Sequence, residues 1–149
     1  MNKFMAEAIK EARKAATAGE IPVGAVVVCD GKIISRAHNK REASQIATKH
    51  AEIIAIEKAC KKLKSWRLDG CEIYVSLEPC PMCTGAISNA RISKLYFAAE
   101  EKTSQDGLLE KIISSARLNH KVEYCFTPCE EASKILTDFF KNKRKKTEI

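Results

Sequence analysis

The sequence contains no apolar stretch long enough to cross a bilayer. Its longer apolar runs, such as Ile21–Cys29, fall well short of the about 20 residues that a membrane-spanning helix needs. Acidic and basic side chains are mixed through the first residues, and the uninterrupted apolar segment of a secretory signal is missing. We therefore expect a soluble, cytoplasmic protein without a membrane partner.

Internal repeats, low-complexity tracts and linker-like segments are also absent. The chain of 149 residues is 45% hydrophobic and 30% charged, which is the composition of a globular rather than a disordered protein. This length suits one domain with a substantial core. We expect a single domain over residues 1–149, with a basic, frayed tail from about residue 141.

The cysteines do not form the pattern of a disulfide scaffold. Their number, seven, is odd, their spacing is uneven, and the chain is larger than the small secreted domains that depend on disulfides. Reduced thiols in an intracellular protein, some of them bound to metal, explain the pattern better. The seven are Cys29, Cys60, Cys71, Cys80, Cys83, Cys125 and Cys129.

The charge of the chain is positive, with a formal net charge of +7, and this favours anionic partners. Two interpretations of the basic tail stay open at this point: a solvated segment that aids solubility, or an arm that contacts phosphate groups. The basic residues of this tail are Lys141, Lys143, Arg144, Lys145 and Lys146.

Hydrophobic periodicity predicts alternating helices and strands, with a hairpin turn at Asp30-Gly31 and a loop over residues 38–47. Strands that alternate with helices indicate parallel pairing, so we expect a five-stranded sheet with helices on both faces. The predicted helices cover 2–18, 49–64, a segment that begins at Pro79, 108–115 and 130–143. The predicted strands cover 24–29, 32–37, 72–77, 94–98 and 122–126.

Two short motifs together supply one imidazole, two thiolates and a carboxylate that need not bind metal. Catalytic zinc sites use three protein ligands and keep a fourth position for water, whereas structural sites usually have four protein ligands. The sequence therefore predicts a zinc-activated hydrolytic site. The motifs are His50-Ala51-Glu52 and Pro79-Cys80-Pro81-Met82-Cys83.

Each motif also has a simpler explanation when it is taken alone. A single histidine such as His50 is more often a surface or core residue, and Glu52 alone would be an exposed helix charge. A C-x-x-C pair is also found in redox sites and in structural zinc fingers. A fourth ligand from Cys125 or Cys129 would make the zinc site structural. The combination is much more specific than any member, and it favours catalysis.

The two motifs match the known H-x-E and P-C-x-x-C signature of the zinc-dependent nucleoside and base deaminases. The chain resembles this family from the first helix to Phe140. The resemblance is greatest to the bacterial tRNA-specific adenosine deaminases, which convert the wobble adenosine of an anticodon to inosine. The supporting stretches are 20–26, Asn39, 77–80, 86–87, 91–92, 118–122 and 138–140.

The resemblance implies a three-layer α/β/α, cytidine-deaminase-like fold with a five-stranded mixed sheet. It also implies a homodimer that binds the anticodon arm of tRNA. One Zn²⁺ per subunit would be held by His50, Cys80 and Cys83. Glu52 would be the catalytic residue that moves protons between water and the base.

The same resemblance assigns residues to the substrate. Asn39 matches the asparagine that contacts the base, and Glu100 aligns with an acidic residue that would contact a ribose hydroxyl. Pro22 and Val23, with Ile21, would form an apolar wall for the base. Each assignment has an alternative, because an asparagine can bond the loop backbone and apolar residues can simply pack at the start of a strand.

Residues 98–107 depart from the family pattern. The acidic residue is usually followed by a turn rich in lysine and glycine, but here only Gly107 remains, and Glu101 and Asp106 would repel phosphate. This departure favours a free base or nucleoside, of guanine or cytosine type, whereas the basic tail, Lys102 and Lys121 favour RNA. A zinc-stabilised RNA-binding module without catalysis is a third possibility, which the carboxylate of the H-x-E motif opposes.

Overall fold

A computed structural model describes residues 2–101 and 106–147, with side chains up to residue 145. Within these residues the predicted order of elements is confirmed, with one short helix added. The helices are α1 (Lys3–Thr17), α2 (Arg41–Ser44), α3 (Ala51–Leu63), α4 (Pro81–Asn89), α5 (Leu108–Ile113) and α6 (Glu130–Thr147). The strands are β1 (Gly24–Cys29), β2 (Lys32–His38), β3 (Glu72–Val75), β4 (Lys94–Phe97) and β5 (Glu123–Phe126).

The strands form one mixed sheet in the order β2-β1-β3-β4-β5. β1 is antiparallel to both β2 and β3, whereas β3, β4 and β5 run parallel. Asp30 and Gly31 have φ angles of 51° and 75°, the left-handed conformation that a tight two-residue hairpin needs at both central positions. The predicted hairpin and parallel crossovers are therefore confirmed.

Helices cover both faces of the sheet because β1 is apolar on both sides. Ala25 and Val27 face the core shared with α3, α4 and α5, and Val26 and Val28 face the core shared with α1 and α6. This arrangement explains why the strand is a continuous apolar run rather than an alternating one. It also confirms the three-layer α/β/α architecture.

Three local predictions are wrong. Helix α4 begins at Pro81, not at Pro79, because Cys80 has extended backbone (φ −69°, ψ 170°) and is the N-cap. Pro81 then occupies the first turn, where its missing N–H costs little. Residues 38–47, predicted as a loop, contain α2. The last helix also continues to Thr147, beyond the predicted end at 143.

No helix among residues 2–101 and 106–147 is both long and apolar enough to span a membrane.

Helix α1 lies directly against β1 at Gly24, where there is no room for a side chain. A Cβ atom on Gly24 would lie 2.5 Å from the backbone nitrogen of Ala12 and 2.7 Å from the Cβ of Glu11. Such atoms do not approach so closely, so glycine at this position sets the distance between the helix and the sheet.

We expect Gly24→Ala to lower the free energy of unfolding by at least about 2 kcal/mol, because α1 must move away from β1. Gly85→Ala is the matched control. Gly85 lies within α4, nothing lies within 4 Å of its Cβ position, and alanine favours a helix by about 1 kcal/mol over glycine. Urea unfolding measures both variants. A Gly24→Ala protein as stable as the wild type would contradict this packing.

Candidate active site

The three predicted metal ligands meet at the edge of the sheet where β2 and β3 end. His50 is the N-cap of α3, Cys80 is the N-cap of α4, and Cys83 lies in the first turn of α4. β2 and β3 are both antiparallel to β1, so their carboxyl ends lie at the same edge. Helices α3 and α4 begin side by side at this edge, which is where ligands bind in α/β sheets.

The spacing of the ligand atoms fits zinc. Nδ1 of His50 lies 3.7 Å from Sγ of Cys80 and 3.6 Å from Sγ of Cys83. Tetrahedral zinc, with Zn–N of about 2.0 Å and Zn–S of about 2.3 Å, separates nitrogen and sulfur by about 3.5 Å. The three ligand atoms lie within 4.8 Å of one another, and no second group of this kind occurs in the described part of the chain.

Neither Cys125 nor Cys129 completes this group as a fourth ligand. Cys125 lies on β5 opposite Tyr96, and Cys129 packs against the core that α1 and α6 share. The described residues therefore form a site with three protein ligands, which is the arrangement that leaves a position for water or substrate.

The two thiols lie in electrostatically different surroundings. A hydrogen bond from the Cys83 thiol and backbone N–H groups of the first turn of α4 lower the pKa of Cys80 to about 5. The same hydrogen bond and burial raise the pKa of Cys83. These surroundings favour thiolate at Cys80 over Cys83, and zinc, which binds cysteine as thiolate, would favour it at both.

Glu52 lies in the first turn of α3 and is only 3% exposed. Burial raises the pKa of its carboxyl group to about 7, and its Oε1 has no hydrogen-bond partner among the described residues. A buried oxygen without a partner is costly, and such groups are concentrated at functional sites. The alternative of an exposed helix charge is therefore wrong.

Asn39 binds the start of α3. Its Nδ2 donates to the carbonyl of Ile21 at 3.0 Å, and its Oδ1 accepts from the backbone N–H of Ala51 at 2.8 Å. Ala51 lies between His50 and Glu52, so Asn39 fixes the backbone that carries both. The backbone alternative is confirmed, and since Asn39 also lines the cavity, its contact with a base stays a prediction.

The other predicted substrate residues differ in position. Val23 and Ile21 line the cavity with His50, but Pro22 does not: it is fully buried beneath the surface, where it packs at the start of β1. Glu100 lines a neighbouring groove along α6. Lys102 lies outside the described residues. Contacts of these residues with a substrate stay predictions.

Sequence reasoning missed several residues that line the cavity. Glu101, rather than its neighbour Glu100, faces it, and α6 contributes Phe139 and Lys143. Strand periodicity does not fix which of two adjacent acidic residues faces a site. The motif at 138–140 matched the family, but only the packing of α6 places it over the cavity. The further lining residues are Gly19, Glu20, Arg41, Glu42, Leu77 and Glu78.

Comparisons with known proteins agree with this geometry. A family model described as MafB19-like deaminase matches residues 1–144. The tRNA-specific adenosine deaminase of Bacillus subtilis (strain 168) is 47% identical over 145 residues, which cover 96% of this chain and 90% of that protein.

Two solved structures are also similar. One, from studies of A-to-I editing by tRNA:A34 deaminases at the wobble position of transfer RNA, has a TM-score of 0.83 at 38% identity and covers 89% of this chain and 98% of that one. The other, guanine deaminase from Bacillus subtilis, has a TM-score of 0.65 at 35% identity and covers 95% of both chains. The cytidine-deaminase-like fold is therefore confirmed, and the chain belongs to the MafB19-like deaminase family.

Proposed function

We propose that this protein is a zinc-dependent hydrolase that deaminates adenosine to inosine at the wobble position of a tRNA anticodon. One observation carries the chemistry: His50, Cys80 and Cys83 have the spacing of tetrahedral zinc ligands, and the buried carboxyl of Glu52 lines the same cavity. The choice of tRNA as substrate is supported by the 47% identical relative, which is a tRNA-specific adenosine deaminase.

His50, Cys80 and Cys83 would hold one Zn²⁺ per subunit. When bound, zinc would supply the Lewis acidity that makes a water molecule nucleophilic near neutral pH. Glu52 would accept one proton of this water and pass it to the ring nitrogen beside the attacked carbon. It would then accept the proton of the newly formed hydroxyl group and give it to the departing amino group. Adenosine and water thus become inosine and ammonia. A pKa of about 7 suits a group that must both accept and donate a proton.

The walls of the cavity suit a base that has been turned out of its stack. Ile21, Val23 and Phe139 provide apolar surface, and the amide of Asn39 provides a donor and an acceptor. Lys143 and Arg144 of α6 line the cavity and the adjoining groove, where they would attract the phosphates of an RNA loop. These features support a nucleotide within an RNA chain, rather than a free base, as the substrate.

A second candidate, deamination of free guanine, is supported by the 35% identity with a guanine deaminase. Incubating the zinc-loaded protein with total tRNA and, separately, with adenine, guanine, cytosine and their nucleosides discriminates between the two. We expect inosine at the wobble position of a tRNA and no turnover of small molecules. Ammonia release from a free base alone would replace the leading proposal with the second.

The exposed lysines of α6 provide a test for RNA binding. Replacing Lys141 and Lys145 with glutamine will weaken RNA binding and reduce the slope of log Kd against log salt by about 0.7 to 0.9 per lost phosphate contact. Lys61→Gln with Lys62→Gln is the matched control, because these lysines lie at the end of α3 away from the site. If the salt slope is unchanged in the α6 variant, the basic tail does not contact RNA and serves only solubility.

We further propose that the protein is a single-domain homodimer in the cytoplasm. None of the seven cysteines is paired in a disulfide, which is the state that a reducing compartment maintains. Met82, in the first turn of α4, is 37% exposed and offers apolar surface to a second subunit. Sedimentation equilibrium should give twice the chain mass of 16.6 kDa.

A further inference from the structure

The short helix α2 is capped by a residue far from it in sequence. The side chain of its N-cap residue, Lys40, makes no capping hydrogen bond. Instead the two carboxylate oxygens of Glu20 accept the backbone N–H groups of Glu42 at 3.0 Å and of Ala43 at 2.8 Å. These are the second and third residues of the helix, whose amides an N-cap side chain normally binds.

The position of α2 depends on this carboxylate. Glu20 is 2% exposed, and both of its oxygens make charge-assisted hydrogen bonds to α2. None of the residues of α2 is buried, so the helix has no apolar anchor of its own. A four-residue helix without such an anchor is not stable by itself. Glu20 therefore ties α2 to the turn before β1.

α2 carries a cation at the mouth of the cavity. Arg41 lines the same cavity as His50 and Glu52, and its side chain is 47% exposed. Its carboxylate neighbour is Glu42, with an N–O distance of 3.8 Å, and an exposed pair at this distance is weak. A guanidinium in this position is suited to bind a phosphate through two parallel hydrogen bonds.

We infer that Glu20 is a positioning residue for substrate binding. It holds α2 so that Arg41 lies at the mouth of the cavity and binds a backbone phosphate beside the nucleoside to be deaminated. The inference rests on the proposed function, because it takes RNA as the substrate. Glu20 itself acts only through α2 and contacts no reacting atom.

Glu20→Gln tests this role. The NH₂ group that replaces one carboxylate oxygen cannot accept a hydrogen bond, so one of the two N–H groups of α2 loses its acceptor. With an anticodon stem–loop RNA as substrate, we expect KM to rise about tenfold and kcat to stay within about twofold, with unchanged zinc content. Glu11→Gln is the matched control. Glu11 is a second buried carboxylate, 5% exposed, bonded to Lys14 and His38. This control should lower Tm without changing KM.

A double-mutant cycle shows whether Glu20 acts through Arg41. Arg41→Ala alters an exposed residue, and we expect the same rise in KM and a salt slope reduced by about 0.7 to 0.9. Adding Glu20→Gln to Arg41→Ala should then change KM no further. Effects that multiply, or a Glu20→Gln protein that loses Tm and active fraction at an unchanged KM, would overturn the inference.

The wild-type protein is assayed first on the same RNA. If it forms no inosine there, the proposed function fails, and the inference fails with it. If it forms inosine and only the KM effects are missing, the proposed function stands and the positioning role alone is wrong.

Discussion

Glu52→Ala will reduce kcat on tRNA by at least about 10³-fold, because proton transfer by one positioned group contributes about 10² to 10⁴-fold and this residue transfers a proton more than once. The zinc content will stay at one per chain, since the metal ligands are His50, Cys80 and Cys83 in the proposed site. Single-turnover kinetics and metal analysis of the same preparation measure both quantities. Glu52→Gln, which keeps the shape of the side chain, should show the same loss of kcat and the same zinc content.

Glu57→Gln is the matched control for the charge change. Glu57 lies on the same helix, where it pairs with Lys49 at 2.9 Å and is 49% exposed. Its substitution should leave kcat within about twofold of the wild type, as surface changes usually do. Substantial activity in Glu52→Ala would remove Glu52 from the mechanism, however well zinc is retained.

His50→Ala will remove one of the three protein ligands and lower the affinity for zinc by more than about 100-fold, since even the loss of a group that only orients a ligand costs 10–100-fold. Thermal unfolding supplies a second measurement. Zinc at 100 times its Kd stabilises the wild-type protein by about 2.7 kcal/mol, which is about 5–10 °C in Tm for a chain of this size. The variant should show no such rise.

His38→Gln is the control for the loss of an imidazole. Nδ1 of His38 lies 3.2 Å from Oε1 of Glu11, outside the metal-binding group. This variant should bind zinc and gain stability from it as the wild type does. Stoichiometric zinc in purified His50→Ala would show that the imidazole is not a ligand.

The sequence predicts those parts of the fold that depend on local chemistry. Asp30 and Gly31 form the predicted hairpin because few residues adopt positive φ easily. The start of α4 is misplaced because Pro79 and Pro81 are both acceptable near a helix N-terminus, and Cys80 is not a usual capping residue. Helix α2 is missed because Glu20, which caps it, lies 22 residues away from Glu42.

The candidate site divides in the same way. The metal-binding group can be predicted from the sequence because His50, Cys80 and Cys83 occur in short motifs with fixed spacing. The residues around the substrate cannot be predicted in this way, because their positions depend on packing between elements that are distant in sequence. Phe139 reaches the cavity only because α6 lies across it, and no periodicity in the sequence encodes that contact.

We propose that water replaces the amino group of a wobble adenosine in a site built from His50, Glu52, Cys80 and Cys83. Mass spectrometry of unmodified tRNA incubated with the zinc-loaded protein in oxygen-18 water tests this claim most directly. We expect inosine at the wobble position alone, carrying one oxygen-18 atom on its base, with one ammonia released per inosine. An unchanged wobble adenosine, or an inosine without the label, would contradict it.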